Sequence, residues 1–302
     1  MLSLRSILFL FRPAMIAGLA LATGAVTQTS SAQPADKDQA TPSSARTNQR
    51  PLAAPRLKEK LLLPGETFVV EGRAAFVMLP EPAQRSSPQP WILYAPTLAA
   101  YPDIHEKWMH EQFIKAGIAV AGIDMGEAYG SPEGTEGLSA LYREMTEHRG
   151  FAKRPCLLGR SRGGLWVTSW AAANPEKVAG IAGIYPVFDL RTYPGLSKAA
   201  PAYKLTAKQL EARLNELNPI EQVPKLAVQR IPAFLIHGDQ DKVVPLKENS
   251  QEFLARYRAN KAEKDVTLVI ATGQGHNYWE GFFHCQELVD FAIKRALASV
   301  EH

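Results

Sequence analysis

The chain has 302 residues, of which 46% are apolar and 21% are charged, and 34 basic side chains stand against 30 acidic ones. This composition is typical of a soluble globular protein, and the length allows one α/β domain of about 250 residues. The basic excess is small, which argues against a protein that binds nucleic acid through its charge.

Residues 1–32 have the pattern of a secretory signal peptide. Two early arginines precede an uncharged apolar run, Ala14–Val26, and Ser30 and Ala32 occupy the minus-three and minus-one positions of a cleavage site. An uncleaved membrane anchor is the alternative, but the run has 13 residues, against roughly 20 needed to span a bilayer. We therefore expect a secreted or periplasmic protein with no membrane anchor after cleavage.

Residues 33–56 are rich in proline, alanine, serine, glutamine and charge without periodicity, which predicts a flexible leader. One folded domain is expected from residue 57 to residue 302. Its two cysteines, Cys156 and Cys285, fall in apolar segments, which favours two buried free thiols. A disulfide is the alternative, because the expected compartment is oxidising.

Strand-like and helix-like segments alternate along this domain. The first extended segments are joined by a turn at Glu71 and Gly72, which predicts an antiparallel hairpin at a sheet edge. The following segments are the strand WILYAPT, the helix HEKWMHEQFIKAG, the strand IAVAGIDM, the helix TEGLSALYREMTEH, the strand CLLG, the helix SRGGLWVTSWAAANPEK and the strand VAGIAGIYPVF.

The segment from Asp189 to Arg230 interrupts this alternation. It starts loop-like and then contains LTAKQLEARLNEL, in which Thr206 and Gln209 form a capping-box pattern before a short helix. We expect a small lid insertion here. The strands IPAFLIHG and DVTLVIAT and two further helices follow, and the whole pattern predicts a mostly parallel sheet with helices on both faces.

Ser161 lies in the pentapeptide GRSRG, which matches G-x-S-x-G between a predicted strand and a predicted helix. This context is typical of a nucleophile elbow, a tight turn in which small neighbours let the flanking backbones pass. The alternative is a structural serine that caps the helix. Asp239 and Asp241 follow IPAFLIHG, and His276 follows DVTLVIAT, which is the order that a serine triad on such a sheet requires.

A serine hydroxyl needs an imidazole base, and the imidazole needs a carboxylate that fixes its tautomer. With GRSRGG at 159–164, HGDQDKVVP at 237–245 and GH at 275–276, the chain resembles α/β-hydrolases of the esterase, dienelactone-hydrolase and prolyl-oligopeptidase type. The resemblance implies the α/β-hydrolase fold. It selects Asp241 as the acid and leaves Asp239 to support the turn, with Asp189 as the reserve acid.

An oxyanion hole needs two backbone N–H donors, one after the nucleophile and one in the loop after the third strand. The first is Arg162. Relatives carry His-Gly in the second position, whereas this chain has Ala95-Pro96-Thr97-Leu98. Proline has no N–H, so we expect Thr97 to be the second donor, with Leu98 as the alternative.

The two arginines around the serine carry separate predictions. Arg160 is expected to pack beneath the sheet and to pair with an acid. The side chain of Arg162 either pairs with an acid such as Glu127 or contacts an acidic substrate, because glucuronoyl esterases also place an arginine after the catalytic serine. Tyr129 and Ser131, in a glycine-rich turn after a strand, are possible substrate contacts.

Two other motifs do not predict sites. In HEKWMH, His105 and His110 are five residues apart and lie about 140° apart around a helix, which excludes the zinc motif H-E-x-x-H. The glycine-rich GIDMGEAYGSPEG lacks the spacing and the lysine of a nucleotide-binding loop. No cofactor or metal is therefore implied.

The resulting hypothesis is a serine hydrolase that cleaves carboxylic esters of small molecules or carbohydrates through an acyl-enzyme. Ser161, His276 and Asp241 form its triad. One alternative is a peptidase of the prolyl-oligopeptidase type, although no segment of propeller length is present. The other is a non-catalytic binding protein on the same scaffold, which would not need all three triad residues.

Overall fold

The computed structural model describes residues 57–58 and 60–300. The predicted signal peptide, 1–32, and the predicted leader, 33–56, lie outside the described residues. No helix within the described ranges is both long enough and apolar enough to cross a membrane.

A single sheet of eight strands forms the centre of the described chain. The strands are β1 Gly65–Val70, β2 Arg73–Met78, β3 Trp91–Ala95, β4 Ala119–Ile123, β5 Cys156–Arg160, β6 Gly180–Ile184, β7 Ala233–Gly238 and β8 Val266–Ala271. Their spatial order is β1-β2-β4-β3-β5-β6-β7-β8. Strand β2 is antiparallel to both of its neighbours, and every later pair is parallel.

The predicted edge hairpin is formed by β1 and β2. Its two turn residues, Glu71 and Gly72, have φ values of 46° and 78°. Two consecutive residues with positive φ are what a two-residue hairpin turn of type I′ requires, because that turn follows the right-handed twist of the strands.

Ten α-helices surround the sheet in the part of the chain that the structure describes. They are α1 Lys107–Lys115, α2 Pro132–Arg143, α3 Gly163–Ala173, α4 Leu196–Ala199, α5 Ala207–Ala212, α6 Leu214–Leu217, α7 Pro219–Val228, α8 Glu252–Ala259, α9 Glu280–Phe283 and α10 Gln286–Leu297. Helix α2 begins three residues before the predicted start, because the Ser131 hydroxyl accepts a hydrogen bond from Gly134 N at 3.3 Å and caps the helix.

The sheet is buried on both faces, as the sequence predicts for an α/β fold. Alternate residues of β3 belong to two separate cores: Trp91 and Leu93 face one, whereas Ile92 and Tyr94 face the other. Helices α3, α7 and α8 cover the first core, and α1 and α10 cover the second. Because parallel strands end at one edge, this arrangement brings the loops after β5, β7 and β8 together.

The segment 189–230 contains four short helices, α4 to α7, and the capping box of Thr206 and Gln209 is present at the start of α5. Helix α7 packs against α3 and α8. The last part of the segment therefore belongs to the helix layer of the fold. The predicted lid is not confirmed. Cys156 and Cys285 are both buried free thiols.

Candidate active site

Three loops at the carboxyl edge of the sheet carry the predicted triad. Ser161 follows β5, Asp241 follows β7 and His276 follows β8. Ser161 Oγ lies 2.9 Å from His276 Nε2, and His276 Nδ1 lies 2.7 Å from Asp241 Oδ2. The structure thus brings all three side chains into one hydrogen-bonded chain.

Ser161 lies in a strained turn between β5 and α3. Its φ is 49°, a left-handed conformation that is costly for a residue with a Cβ. Both backbone groups of Ser161 hold the turn in place. Ser161 N donates to Ile184 O at 2.9 Å, and Ser161 O accepts from Val187 N at 2.8 Å. This geometry is that of a nucleophile elbow, which exposes the hydroxyl at the edge of the sheet.

The glycines after Ser161 are needed because neighbouring backbones approach closely. A Cβ on Gly163 would lie 2.1 Å from Ala95 O, and one on Gly164 would lie 2.5 Å from Val187 O. Both distances are shorter than any real contact of a methyl carbon with an oxygen. The GRSRGG motif thus lets α3 start directly against β3 and the loop after β6.

The hydrogen bonds define the tautomer of His276. A carboxylate accepts only, so Asp241 Oδ2 takes a proton from Nδ1, and Nε2 is left as an acceptor for the Ser161 hydroxyl. This is the arrangement in which the imidazole can take the proton of the serine. The ring of His276 also packs against the ring of Tyr185, with 4.3 Å between their centroids.

The carboxylate of Asp241 is held by several donors. Its Oδ1 accepts from Val243 N at 2.9 Å and Val244 N at 2.8 Å, and His237 Nε2 lies 3.4 Å from Oδ2. Burial alone would raise the pKa of Asp241, but the hydrogen bonds from His237, His276 and Val244 hold that pKa well below its usual range. Asp241 is therefore ionised at neutral pH and can accept the hydrogen bond from His276 Nδ1.

The other two acids have different surroundings. Asp239 Oδ1 accepts from Gly273 N at 2.7 Å and so connects the loops after β7 and β8, the supporting role predicted for it. Asp189 binds Arg191 Nε and Asn218 Nδ2. No hydrogen bond among the described residues joins Asp189 to His276, so the structure does not place the reserve acid at the site.

A cavity of about 200 Å³ opens over Ser161. Besides Ser161 and His276, its lining contains four tyrosines, two arginines and three other residues: Tyr101, Tyr185, Tyr193, Tyr278, Arg160, Arg162, Pro96, Val243 and Asn277. A wall of aromatic faces and guanidinium groups suits a planar or polar substrate better than a long aliphatic chain.

Of the two predicted oxyanion donors, the structure places one at the cavity. The N–H of Arg162 lies at the N-terminal end of α3, beside the nucleophile. Thr97 is 2% exposed and bridges to Asp124 of the neighbouring strand end, and it does not line the cavity. The backbone N–H of Thr97 therefore stays a prediction as the second donor, and Tyr101 is the residue with a side-chain hydrogen-bond donor that the same loop contributes to the lining.

Arg160 pairs with acids, as predicted, but lines the cavity instead of packing beneath the sheet. Its Nη1 donates to Asp103 Oδ2 at 2.9 Å and to Glu106 Oε2 at 2.7 Å. Arg162 Nη1 forms an ion pair with Glu127, the structural alternative considered for it. The Arg162 side chain is 23% exposed and also lines the cavity, so the ion pair leaves it accessible to a ligand.

The turn after β4 approaches the cavity through Glu127, which pairs with Arg162. Tyr129 is buried, and its carbonyl oxygen accepts from the Tyr203 hydroxyl at 2.8 Å. Ser131 caps α2. Neither residue is among those that line the cavity, and both substrate contacts stay predictions.

The HEKWMH segment has structural roles. Glu106 closes a capping box with Asp103, and His105 stacks on Tyr278 with 4.3 Å between ring centroids. His110 is fully buried, and its burial lowers the pKa to about 3. Among the described residues, no three or more histidine, cysteine, aspartate or glutamate side chains form a group that could hold a metal ion.

Comparisons with solved structures show the same fold. The puromycin-hydrolyzing peptidase of Mycobacterium tuberculosis has a TM-score of 0.57 and 16% identity, over 78% of this chain and 39% of that one. Est1E from Butyrivibrio proteoclasticus has a TM-score of 0.55 and 18% identity, over 79% of this chain and 99% of that one. The esterase domain of a Rhodothermus marinus protein has a TM-score of 0.52 and 22% identity, over 76% and 98% of the two chains.

The chain spans about two fifths of the length of the solved structures first matched. A comparison with curated proteins gives no match. A family model described as the prolyl oligopeptidase family matches residues 138–291, just over half of the chain, and the match includes Ser161, Asp241 and His276. The chain therefore belongs to the prolyl oligopeptidase family and has the α/β-hydrolase fold.

Proposed function

We propose that the protein hydrolyses carboxylic esters with Ser161 as nucleophile, His276 as base and Asp241 as the acid that orients His276. The observation that carries this proposal is the hydrogen-bonded chain from Ser161 Oγ to His276 and Asp241, which begins at a strained turn. A binding protein would gain nothing from a serine held in a costly conformation against an oriented imidazole.

The reaction proceeds in two halves. Ser161 Oγ attacks the carbonyl carbon while His276 Nε2 takes the hydroxyl proton, and the same nitrogen then protonates the departing alcohol oxygen. An acyl-enzyme remains. His276 next removes a proton from water, the resulting hydroxide attacks the acyl carbon, and the proton returns to Ser161 as the carboxylic acid leaves. This chemistry needs no metal or cofactor.

For the oxyanion, we propose the Arg162 N–H and the hydroxyl of Tyr101 as donors. The Tyr101→Phe variant keeps the ring but removes the hydroxyl, so kcat should fall by about 100-fold, as when one oxyanion donor is lost. KM should change little, because the donor acts mainly in the transition state. Steady-state kinetics on one ester decides the point, and an unchanged kcat would exclude Tyr101 as a donor.

The Arg162 side chain is proposed as a contact for anionic substrates. The Arg162→Ala variant retains the backbone N–H, so it isolates the side chain. We expect kcat/KM to fall about tenfold more for an ester with a carboxylate near the scissile bond than for its neutral counterpart, which corresponds to about 1.4 kcal/mol. Equal losses for the two esters would leave Arg162 with only its ion pair to Glu127.

A peptidase is the second candidate, because the family model and the first matched structures are those of peptidases. The two esterase structures match this chain over 98% and 99% of their own lengths. This match over nearly their whole length is our reason for preferring an ester substrate. The deciding experiment is a panel of acyl-chain esters, carbohydrate esters and aminoacyl amides. Our proposal expects the highest kcat/KM on an ester, and a higher value on an amide would replace it with the peptidase.

Secretion is proposed on the pattern of residues 1–32 alone. If the signal peptide is cleaved after Ala32, the mature protein begins at Gln33. N-terminal sequencing of the exported protein tests this, and an intact Met1 on a membrane-bound protein would favour the anchor.

A further inference from the structure

Arg160 is a buried cation that the proposed reaction does not use. It is the last residue of β5, directly before the nucleophile, and it is 3% exposed. Its charge is compensated by Asp103 and Glu106, and Glu106 is in turn held by the Tyr94 hydroxyl at 2.6 Å. Burial of a cation is costly unless opposite charges lie close to it. Both of these acids come from the loop after β3.

The guanidinium also faces three aromatic rings. Its central carbon lies 4.9 Å from the ring centroid of Tyr101, 4.9 Å from that of Phe283 and 5.5 Å from that of Tyr278. A planar cation over aromatic faces is attracted by their quadrupoles, more strongly where water is excluded. Tyr101 belongs to the loop after β3, whereas Tyr278 and Phe283 flank the end of the loop that carries His276.

The outer end of the His276 loop is exposed and packs on the protein through its aromatic rings, including Trp279 against Phe282. Residues 277–280 are exposed, including Tyr278 at 56% and Trp279 at 42%. Tyr278 contacts the body of the protein through His105 and Arg160. The base itself packs on Tyr185, whose ring also meets Phe282 at 4.9 Å.

We propose that Arg160 is a positioning residue that holds the His276 loop against the nucleophile. Its guanidinium connects three segments around Ser161: the strand that carries the serine, the loop after β3 and the loop of the base. Both the charge and the planar shape of the guanidinium matter. The two carboxylates pair with its charge, and the aromatic rings are contacted by a flat cation. The inference rests on the proposed function, since it concerns the same base.

The test removes the guanidinium and returns it from solution. The Arg160→Ala substitution leaves a space shaped for guanidinium beside the cavity. It is combined with Glu106→Gln in a double variant, because an unpaired buried carboxylate at Glu106 could prevent folding. We expect kcat of the double variant to fall about 100-fold relative to Glu106→Gln alone, the order of loss that a displacement of about 1 Å produces. KM should be nearly unchanged.

Millimolar guanidinium should then raise the kcat of the double variant about tenfold. Urea, which is planar but neutral, should not raise it. Arg149→Ala is the matched control: Arg149 also binds two acids, Glu66 and Glu144, and faces a ring, Phe68 at 3.8 Å, but away from the cavity. Its kcat should equal that of the wild type and should not respond to guanidinium. Thermal unfolding of each variant confirms that it is folded.

The outcomes separate this inference from the proposed function. If the wild type hydrolyses no ester of the panel, the proposed function fails. If the wild type is active but the double variant matches Glu106→Gln, or if urea and guanidinium restore kcat equally, Arg160 does not position the base through its cation.

Discussion

The Ser161→Ala variant should lose ester hydrolysis by about 10⁴-fold or more in kcat, because no acyl-enzyme can form without the hydroxyl. His276 and Asp241 would remain in place, since their mutual hydrogen bond does not involve the serine. The residual rate would come from the oxyanion donors and substrate binding. Thermal stability should not fall, because Ser161 Oγ bonds only to His276 Nε2 among the described residues.

Ser131→Ala is the control for this substitution. It also removes a serine hydroxyl close to a helix start, but that hydroxyl caps α2. We expect Ser131→Ala to lower the free energy of unfolding by about 1 kcal/mol and to leave kcat unchanged. Stopped assays at high enzyme concentration should measure the small residual rate of Ser161→Ala. A loss of less than tenfold would remove Ser161 from the reaction.

The Asp241→Asn variant should lower kcat by about 10⁴-fold through the tautomer of His276. The amide oxygen would keep the hydrogen bonds from Val243 N and Val244 N, which turns the NH₂ group toward His276. A donor there forces Nδ1 to accept, so Nε2 carries the proton and cannot take one from Ser161. The ring stays in place but in the wrong protonation form.

Asp239→Asn is the matched control, two residues earlier in the same turn. Within the part of the chain that the structure describes, its carboxylate accepts a hydrogen bond from Gly273 N alone, and an amide oxygen can replace it. We expect kcat within a factor of about three of the wild type, since a conservative surface change costs little. Steady-state kinetics on both variants gives the comparison. Equal losses in the two would mean that Asp241 acts through the loop structure and not through His276.

The sequence was informative where function depends on local motifs. The strand before Ser161, the glycines after it and the order of Asp241 and His276 predicted the carboxyl edge of a parallel sheet, and the structure has the three side chains there. Asp241 was preferred over Asp239 by resemblance alone. The structure supplies the physical reason, because only Asp241 points its second oxygen at His276.

Loop paths were not predictable in the same way. Thr97 was expected at the cavity because Pro96 lacks an N–H, but the chain continues β3 as far as a bridge to Asp124 and buries Thr97. Tyr101 lies four residues later in an irregular loop, with no motif to indicate it. Tyr129 was expected there by analogy, and in the structure its carbonyl oxygen accepts a hydrogen bond from the Tyr203 hydroxyl.

Arg160 illustrates a different limit. Side chains alternate between the two faces of a strand, and this alternation predicts the face on which Arg160 lies but not its partners. The partners come from segments about 55 residues before and 120 residues after it in sequence. A pattern such as HEKWMH indicates that Glu106 starts a helix, not that it reaches the cation beside the nucleophile. Long-range pairing of this kind requires the three-dimensional structure.

Labelling with a fluorophosphonate, followed by mass spectrometry of the labelled peptide, tests the central proposal most directly. The reagent bonds to a serine only if a nearby base activates it. We predict one equivalent of label, located on Ser161, and no label in the Ser161→Ala variant. Label on another residue, or equal labelling of Ser161→Ala, would contradict the assignment of Ser161 as the nucleophile.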